Sequence, residues 1–468
     1  MSPLQESYVI EFDGEDTSNN VRQMVGRTQP HSLRTFTPSQ AVLSTSAGVF
    51  HWTPEGRRLY DYSSGVLVAN LGHNPVRWMK RFQNYLGWSA EKLTAPDDGF
   101  FKAVSLTAYN AMTELEAEAG RRLVASLQAS PGGSRLDTVM WSASGSEAVQ
   151  KALWACMRRD PSRPGILATR YGFHGKKGLS GAVTGSETDS ERDPRVRFIS
   201  FPREECSDID DPNKAFDPSG YRAELEEVVA AAEHPIGCLI TEPYLGGGGS
   251  YHPPKEYLQL LQDFCREHDI LFILDEVQAN FGRTGCMYAF ESYGLEPDFV
   301  CLGKGLGNGI PVSAAVGRRD VCELMDYGET SDTWSANPTS SAAVLATLDE
   351  FESTDIMDRT RHLSTIFVDG LRQLKQTGVI VNVRGEGMVF GIECGQVGST
   401  APNDVANAVV ERCYRGNDEN DGIHLLGPLA GCVIRIAPPM CMTDEQARQS
   451  LSLLQRFVTD VSRDLGDA

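Results

Sequence analysis

Between residues 138 and 316 the chain alternates short, uninterrupted apolar runs with stretches of helical spacing, and few architectures accept that pattern. Residues 138–142, 165–169, 236–241, 270–274, 299–302 and 312–316 read as strands, and residues 147–158 and 255–268 as helices. Strands without polar alternation must be covered on both faces. A largely parallel sheet with helices on each side supplies that cover, so the expected class is α/β. A length of 468 residues favours two domains over one small core or a repeat array.

The flanking segments differ in texture. Residues 1–40 carry few periodic apolar positions and read as an irregular arm. Residues 49–62 alternate as two short strands around a Pro54-Glu55-Gly56 turn, and residues 107–128 are helical in pattern. Residues 186–218 are polar and rich in Asp, Arg and Pro, so they are expected as a surface excursion around a short strand at 196–201. Beyond about residue 340 come two long helical patterns, strands at 379–383, 388–393 and 433–436, and a last helix over 444–461. This is the pattern of an α+β domain, joined by the N-terminal segment.

With 43 basic and 63 acidic residues the net charge is −20, which disfavours nucleic acid as a partner. Eleven cysteines without C-x-x-C pairs suggest reduced thiols and a cytoplasmic setting. The first twenty residues are polar and acidic, unlike a signal peptide, and no apolar run approaches the ~20 residues that span a bilayer. The histidines show no metal-ligand spacing, so no metal is expected.

Two charged residues stand at the ends of apolar runs: Asp275 after residues 270–274, and Lys304 after residues 299–302. In an open α/β sheet, ligands bind at the carboxyl ends of the strands. Buried charges there need partners. Pyridoxal 5'-phosphate satisfies both, because its aldehyde takes a lysine and its pyridinium nitrogen takes an anion. Ser144-Gly145-Ser146-Glu147 links a strand to a helix; it reads as a capping box and equally as a phosphate site at a helix N-terminus. Tyr171-Gly172-Phe173-His174-Gly175 follows another strand end, where an aromatic covers a planar ring or simply packs in the core. Val277, two residues beyond Asp275, is expected to point the same way by strand alternation, with Gln278 in reach of a ring oxygen. The glycines around Lys304 match neither G-x-x-x-x-G-K-[ST] nor G-x-G-x-x-G, so a nucleotide loop is not expected. Arg435 is one charge inside an apolar strand, suited to a substrate carboxylate or to a structural ion pair.

Together these residues resemble the class III (omega) pyridoxal-phosphate-dependent aminotransferase family over about residues 48–459. The most specific stretch is Leu274-Asp275-Glu276-Val277-Gln278 with Phe281-Gly282-Arg283-Thr284-Gly285 and Gly303-Lys304-Gly305. The resemblance implies the aspartate-aminotransferase-like fold (PLP fold type I), a mostly parallel seven-stranded sheet in a large domain plus a smaller α+β domain. Its parts would be an arm at 1–40, small-domain segments at 41–95 and 339–468, and a large cofactor-binding domain at 96–338. It implies Lys304 as the internal-aldimine lysine and proton shuttle, Asp275 on the pyridinium nitrogen and Gln278 on the ring oxygen. Ser144, Gly145 and Ser146 would take the phosphate. Phe173, with His174 beside it, would stack on one ring face and Val277 on the other. Thr333 would reach the phosphate from the neighbouring subunit, which makes the active unit a homodimer, with a tetramer left open. Val66, Glu242 and Arg435 would face substrate.

The implied reaction moves an amino group from an amine or omega-amino acid to a 2-oxo acid by a ping-pong route. Decarboxylation of the 2,2-dialkylglycine type, a phospho- or ammonia-lyase reaction, and a non-catalytic cofactor-binding role stay open beside it. One departure bears on the acceptor. Members that use dicarboxylate acceptors place a glutamate in a Q-G-E-G-G stretch, where this chain has Leu245-Gly246-Gly247-Gly248-Gly249. Gly247 takes the glutamate's place, which favours a pyruvate-like acceptor. Asn280 and Ala336 also stand where the family usually has glycine.

Overall fold

The computed structural model describes residues 9–466, apart from 95, 97, 190, 191, 207, 212, 213 and 429. Strands β1 (Thr45–Ala47), β2 (Phe50–Trp52) and β3 (Arg58–Asp61) come first in the chain. The expected alternation follows as β4 (Thr138–Ser142), β5 (Gly165–Thr169), β6 (Val196–Ile199), β7 (Ile236–Thr241), β8 (Leu271–Asp275), β9 (Phe299–Leu302) and β10 (Ser313–Gly317). These seven form one sheet in the order β4-β10-β9-β8-β7-β5-β6. All neighbours pair in parallel except β10, which runs antiparallel to both β4 and β9.

The period of two sorts side chains onto two cores. Leu167, Leu239, Phe272, Leu274 and Val300 pack on one face, and Ile166, Ile240, Ile273, Phe299 and Cys301 on the other. Every residue of β5, β7, β8 and β9 is buried, as uninterrupted apolar runs require.

The C-terminal part adds β11 (Ile380–Glu386), β12 (Val389–Cys394), β13 (Asp421–His424) and β14 (Val433–Ile436). β11-β12-β14 form a three-stranded antiparallel sheet. β13 instead pairs in parallel with β3, so the ends of the chain share the sheet β1-β2-β3-β13. Neither β13 nor the helix Pro402–Arg415 stands out in the sequence pattern.

Residues 16–28 correct the expectation of an irregular arm: they form the helix Asp16–Thr28. Its buried face is polar, which hides it from an apolar count. Arg22 reaches Glu15 at 2.7 Å and Tyr414 Oη at 2.8 Å, and Ser18 Oγ donates to Glu55 at 2.7 Å. The helix expected from residue 107 spans Glu114–Ala129, because the Thr113 hydroxyl accepts from Glu116 N and sets its start.

Candidate active site

Five parallel strands end at one edge of the large sheet, and the residues just beyond them line a cavity of about 380 Å³. Ser144, Gly145 and Ser146 follow β4; Phe173, His174 and Gly175 follow β5; Glu242 follows β7. Asp275 closes β8, with Val277 and Gln278 after it, and Lys304 lies just past β9. Because β10 runs the other way, its start delivers Pro311, Val312 and Ser313 to the same edge. The sequence reading had not singled these out as site residues, nor Val68; an antiparallel strand inside a parallel sheet leaves no local signature.

Asp275 Oδ2 lies 2.7 Å from His174 Nδ1, and Oδ1 accepts from Val277 N at 3.0 Å. The second bond directs Val277: β8 ends at Asp275, so an Asx-type turn replaces the expected strand alternation in aiming that side chain. An ionised carboxylate only accepts, so His174 donates from Nδ1. Its buried Nε2 makes no hydrogen bond among the described residues. Glu242 accepts from Phe173 N at 2.9 Å and from Gly246 N at 3.2 Å, tying the aromatic loop to the glycine stretch. Burial pushes its carboxyl up to about 7, with the charge of Asp275 adding to the rise. Burial pushes the Lys304 ammonium down to about 8; Arg435 helps, and Asp275 and Glu242 oppose. Lys304 sits at φ +48°, a left-handed backbone that aims its side chain at the cavity between two glycines.

Ser144 lines the cavity and caps the helix while keeping its hydroxyl proton: its oxygen accepts from Glu147 N, while Glu147 accepts from Ala143 N and Ser144 N. That leaves Gly145 and Ser146 at the start of the helix Gly145–Arg159, with the N–H groups and dipole of its first turn. A methyl at position 145 would come within 2.9 Å of Val277 Cγ1, so only glycine lets these two segments close. Val66 is 40% exposed and does not line the cavity, where Val68 stands instead. Thr333 is exposed and lies outside the cavity of its own chain. Arg435 is not among the lining residues but reaches the glycine stretch: Nη1 donates to Gly246 O at 3.2 Å, and the buried Nε and Nη2 have no partner among the described residues.

A family model described as aminotransferase class-III matches residues 34–458. The chain belongs to that family. It is similar to an omega-aminotransferase from Caulobacter vibrioides, 29% identical over 92% of this chain and 95% of the relative. It is also similar to an acetylornithine aminotransferase from Agrobacterium fabrum, 29% identical over 90% of this chain and 94% of that one. Among solved structures, an ornithine aminotransferase from Toxoplasma gondii superposes with a TM-score of 0.78 at 22% identity, covering 96% of each chain. An amine transaminase from an uncultivated Pseudomonas species, in its PLP-bound form, superposes at 0.74 with 24% identity, over 94% of this chain and 97% of that one. The fold is therefore PLP fold type I, and this class-III aminotransferase depends on pyridoxal phosphate.

The cavity of the aminotransferase fits that cofactor. A lysine with a lowered pKa and a carboxylate held by His174 face one space, beside a helix N-terminus kept open by Gly145. Gln278 Oε1 is buried without a partner among the described residues and His174 Nε2 likewise, so the wall carries polar atoms that those residues leave unsatisfied. No helix among the described residues is long and apolar enough to cross a membrane.

Proposed function

We propose that the enzyme moves an amino group from an amine or omega-amino acid to a small 2-oxo acid such as pyruvate, in two half-reactions. The observation that carries this reading is the guanidinium of Arg435. It is buried, retains one long hydrogen bond to a backbone carbonyl, and has no carboxylate bound to it among the described residues. Burial depresses its pKa, with Tyr244 and Glu242 partly offsetting this. A substrate carboxylate would give the planar fork its missing acceptor. With Gly247 in place of a glutamate, no acidic side chain must swing away first, and Phe173 Cβ would stand 3.1 Å from a methyl placed at 247.

When bound, pyridoxal phosphate supplies an aldehyde that takes the amino group and a ring that accepts electrons from the donor carbon. The chain's residues do the rest. Lys304 Nζ, with its lowered pKa, would take the proton from the amine-bearing carbon and pass it to the cofactor's aldehyde carbon, and would run that transfer in reverse with the 2-oxo acid in the second half. Asp275, held by His174, keeps a proton on the ring nitrogen. Gln278 serves the ring oxygen, Gly145 and Ser146 the phosphate, and Phe173 and Val277 the two ring faces.

The unit of activity in this reading is a homodimer. Thr333 and its neighbour Trp334 are exposed, as are Phe100, Met112 and Tyr327, so Thr333 is free to complete the cavity of a second copy. All eleven cysteines are free thiols and eight are buried, which supports a cytoplasmic setting.

A screen of amine donors against 2-oxo acids tests the proposal, read as amino-acid product. Replacing Arg435 with Met should raise KM for the 2-oxo acid about 10- to 100-fold, while a donor amine without a carboxylate keeps its half-reaction. An unchanged KM, or release of carbon dioxide or phosphate in place of amino transfer, would overturn it.

A further inference from the structure

Outside the lining of the cofactor cavity, the four-stranded sheet gathers three histidines around one carboxylate. Asp61, at the end of β3, is fully buried, and its Oδ1 is saturated by Ser63 N, Ser63 Oγ and Ser64 N. Its Oδ2 faces His73 Nε2 at 2.7 Å and His51 Nε2 at 3.4 Å. His51 lies on β2 opposite Leu59, two residues from Asp61, so both side chains share a face of the sheet. His73 arrives from a loop through paired backbone bonds with Gly48, both 2.9 Å. Among the described residues no other group of His, Cys, Asp or Glu brings three ligand atoms within 4.8 Å of one another.

His51 does not fit a plain Asp–His pair. Its Nδ1 meets Ser46 Oγ at 2.7 Å, while its buried Nε2 makes no hydrogen bond among the described residues and stands beside a carboxylate oxygen. His424 pairs with Asp61 in the β3–β13 register; its ring stands 5.5 Å from that of His51, and its buried Nδ1 too has no partner among the described residues. Donors of one tetrahedral zinc ion stand about 3.3 Å apart at bond lengths of about 2.0–2.1 Å. The His51–Asp61 separation of 3.4 Å already matches, and the His73 contact has only to open slightly. The Ser46 bond is the outer contact that orients a metal-bound imidazole.

We propose that Asp61 Oδ2, His51 Nε2 and His73 Nε2 bind one divalent ion of the zinc class, with the fourth position toward His424. The site is structural. Asp61 also caps the turn at 63–64 that leads toward Val68 on the cavity wall, so the ion would brace that turn. The sequence shows no ligand spacing because the three residues come from two strands and a loop.

The test titrates zinc into the pyridoxal-phosphate-loaded enzyme, stripped beforehand with chelator, and follows heat. One equivalent should bind per chain, with affinity falling about a hundredfold or more in His51→Gln. Because a buried replacement can fail to fold, wild-type crystals soaked in zinc supply a second reading. Anomalous scattering should place the ion about 2.0–2.2 Å from the three named atoms. No stoichiometric heat from the wild type, undiminished affinity in His51→Gln, or an anomalous peak only on thiols would overturn the site.

Discussion

Lys304 shows how a single residue is set by its surroundings. Its ordinary pKa of 10.5 falls to about 8, chiefly through burial. The charged form is thus disfavoured in the folded chain below pH 8, and that cost disappears as pH rises past the unfolded value of 10.5. Cofactor-free Lys304→Met should therefore be more stable than the parent at pH 7, by about 2 kcal/mol after allowing for partial exposure. The advantage should shrink between pH 8 and 10.5 in paired thermal melts; a constant difference across that range would refute the assignment. In the holoenzyme, Lys304→Ala should lose turnover and the cofactor's lysine-linked absorbance. Asp275 and Lys304 were legible in the sequence because a charge closing an apolar run has few other uses. The pairing of Asp275 with His174 was not, since the two meet across β5, β7 and β8.

At the scale of elements, residues 64–67 form a single left-handed turn, with φ of +47° at Ser64, +59° at Gly65, +69° at Val66 and +60° at Leu67. Such backbone costs roughly 1–2 kcal/mol per non-glycine residue, and most for a β-branched one. It persists because Asp61 holds Ser63 and Ser64, Ser64 Oγ donates to Ala437 O at 2.7 Å, and Leu67 is buried. Val66→Gly should raise stability by about 1 kcal/mol, read from denaturant midpoints at constant slope. A lower midpoint would mean that the valine is needed for packing. Ala336, at φ +54°, likewise occupies backbone that suits glycine. Local sequence could not announce the turn at 64–67, because three of its four residues disfavour it and only distant contacts hold it. The helix Asp16–Thr28 escaped for a related reason, its buried face being Ser18 and Arg22.

Across the whole molecule, Arg283 joins parts of the chain far apart in sequence. Fully buried, it donates to Met388 O at 3.0 Å, Pro438 O at 2.7 Å and Ser64 Oγ at 3.2 Å, and also to Asn70 Oδ1. Burial lowers its pKa to about 10, which keeps it charged at neutral pH. Arg283→Met would leave those acceptors unpaired, at a cost of about 3 kcal/mol or more, visible as a lower melting temperature; an unchanged transition would refute the role. By itself the sequence determined the class of the sheet, most of its strands and the chemistry at their ends, because apolar period and chain-end charge are local properties. Only the tertiary structure decided that β10 runs backwards, that β13 stitches the C-terminal part to β3, that Val68 rather than Val66 reaches the cavity, and that Arg435 has no carboxylate partner among the described residues. Those are pairings between segments tens to hundreds of residues apart, selected by which buried polar groups find partners in three dimensions.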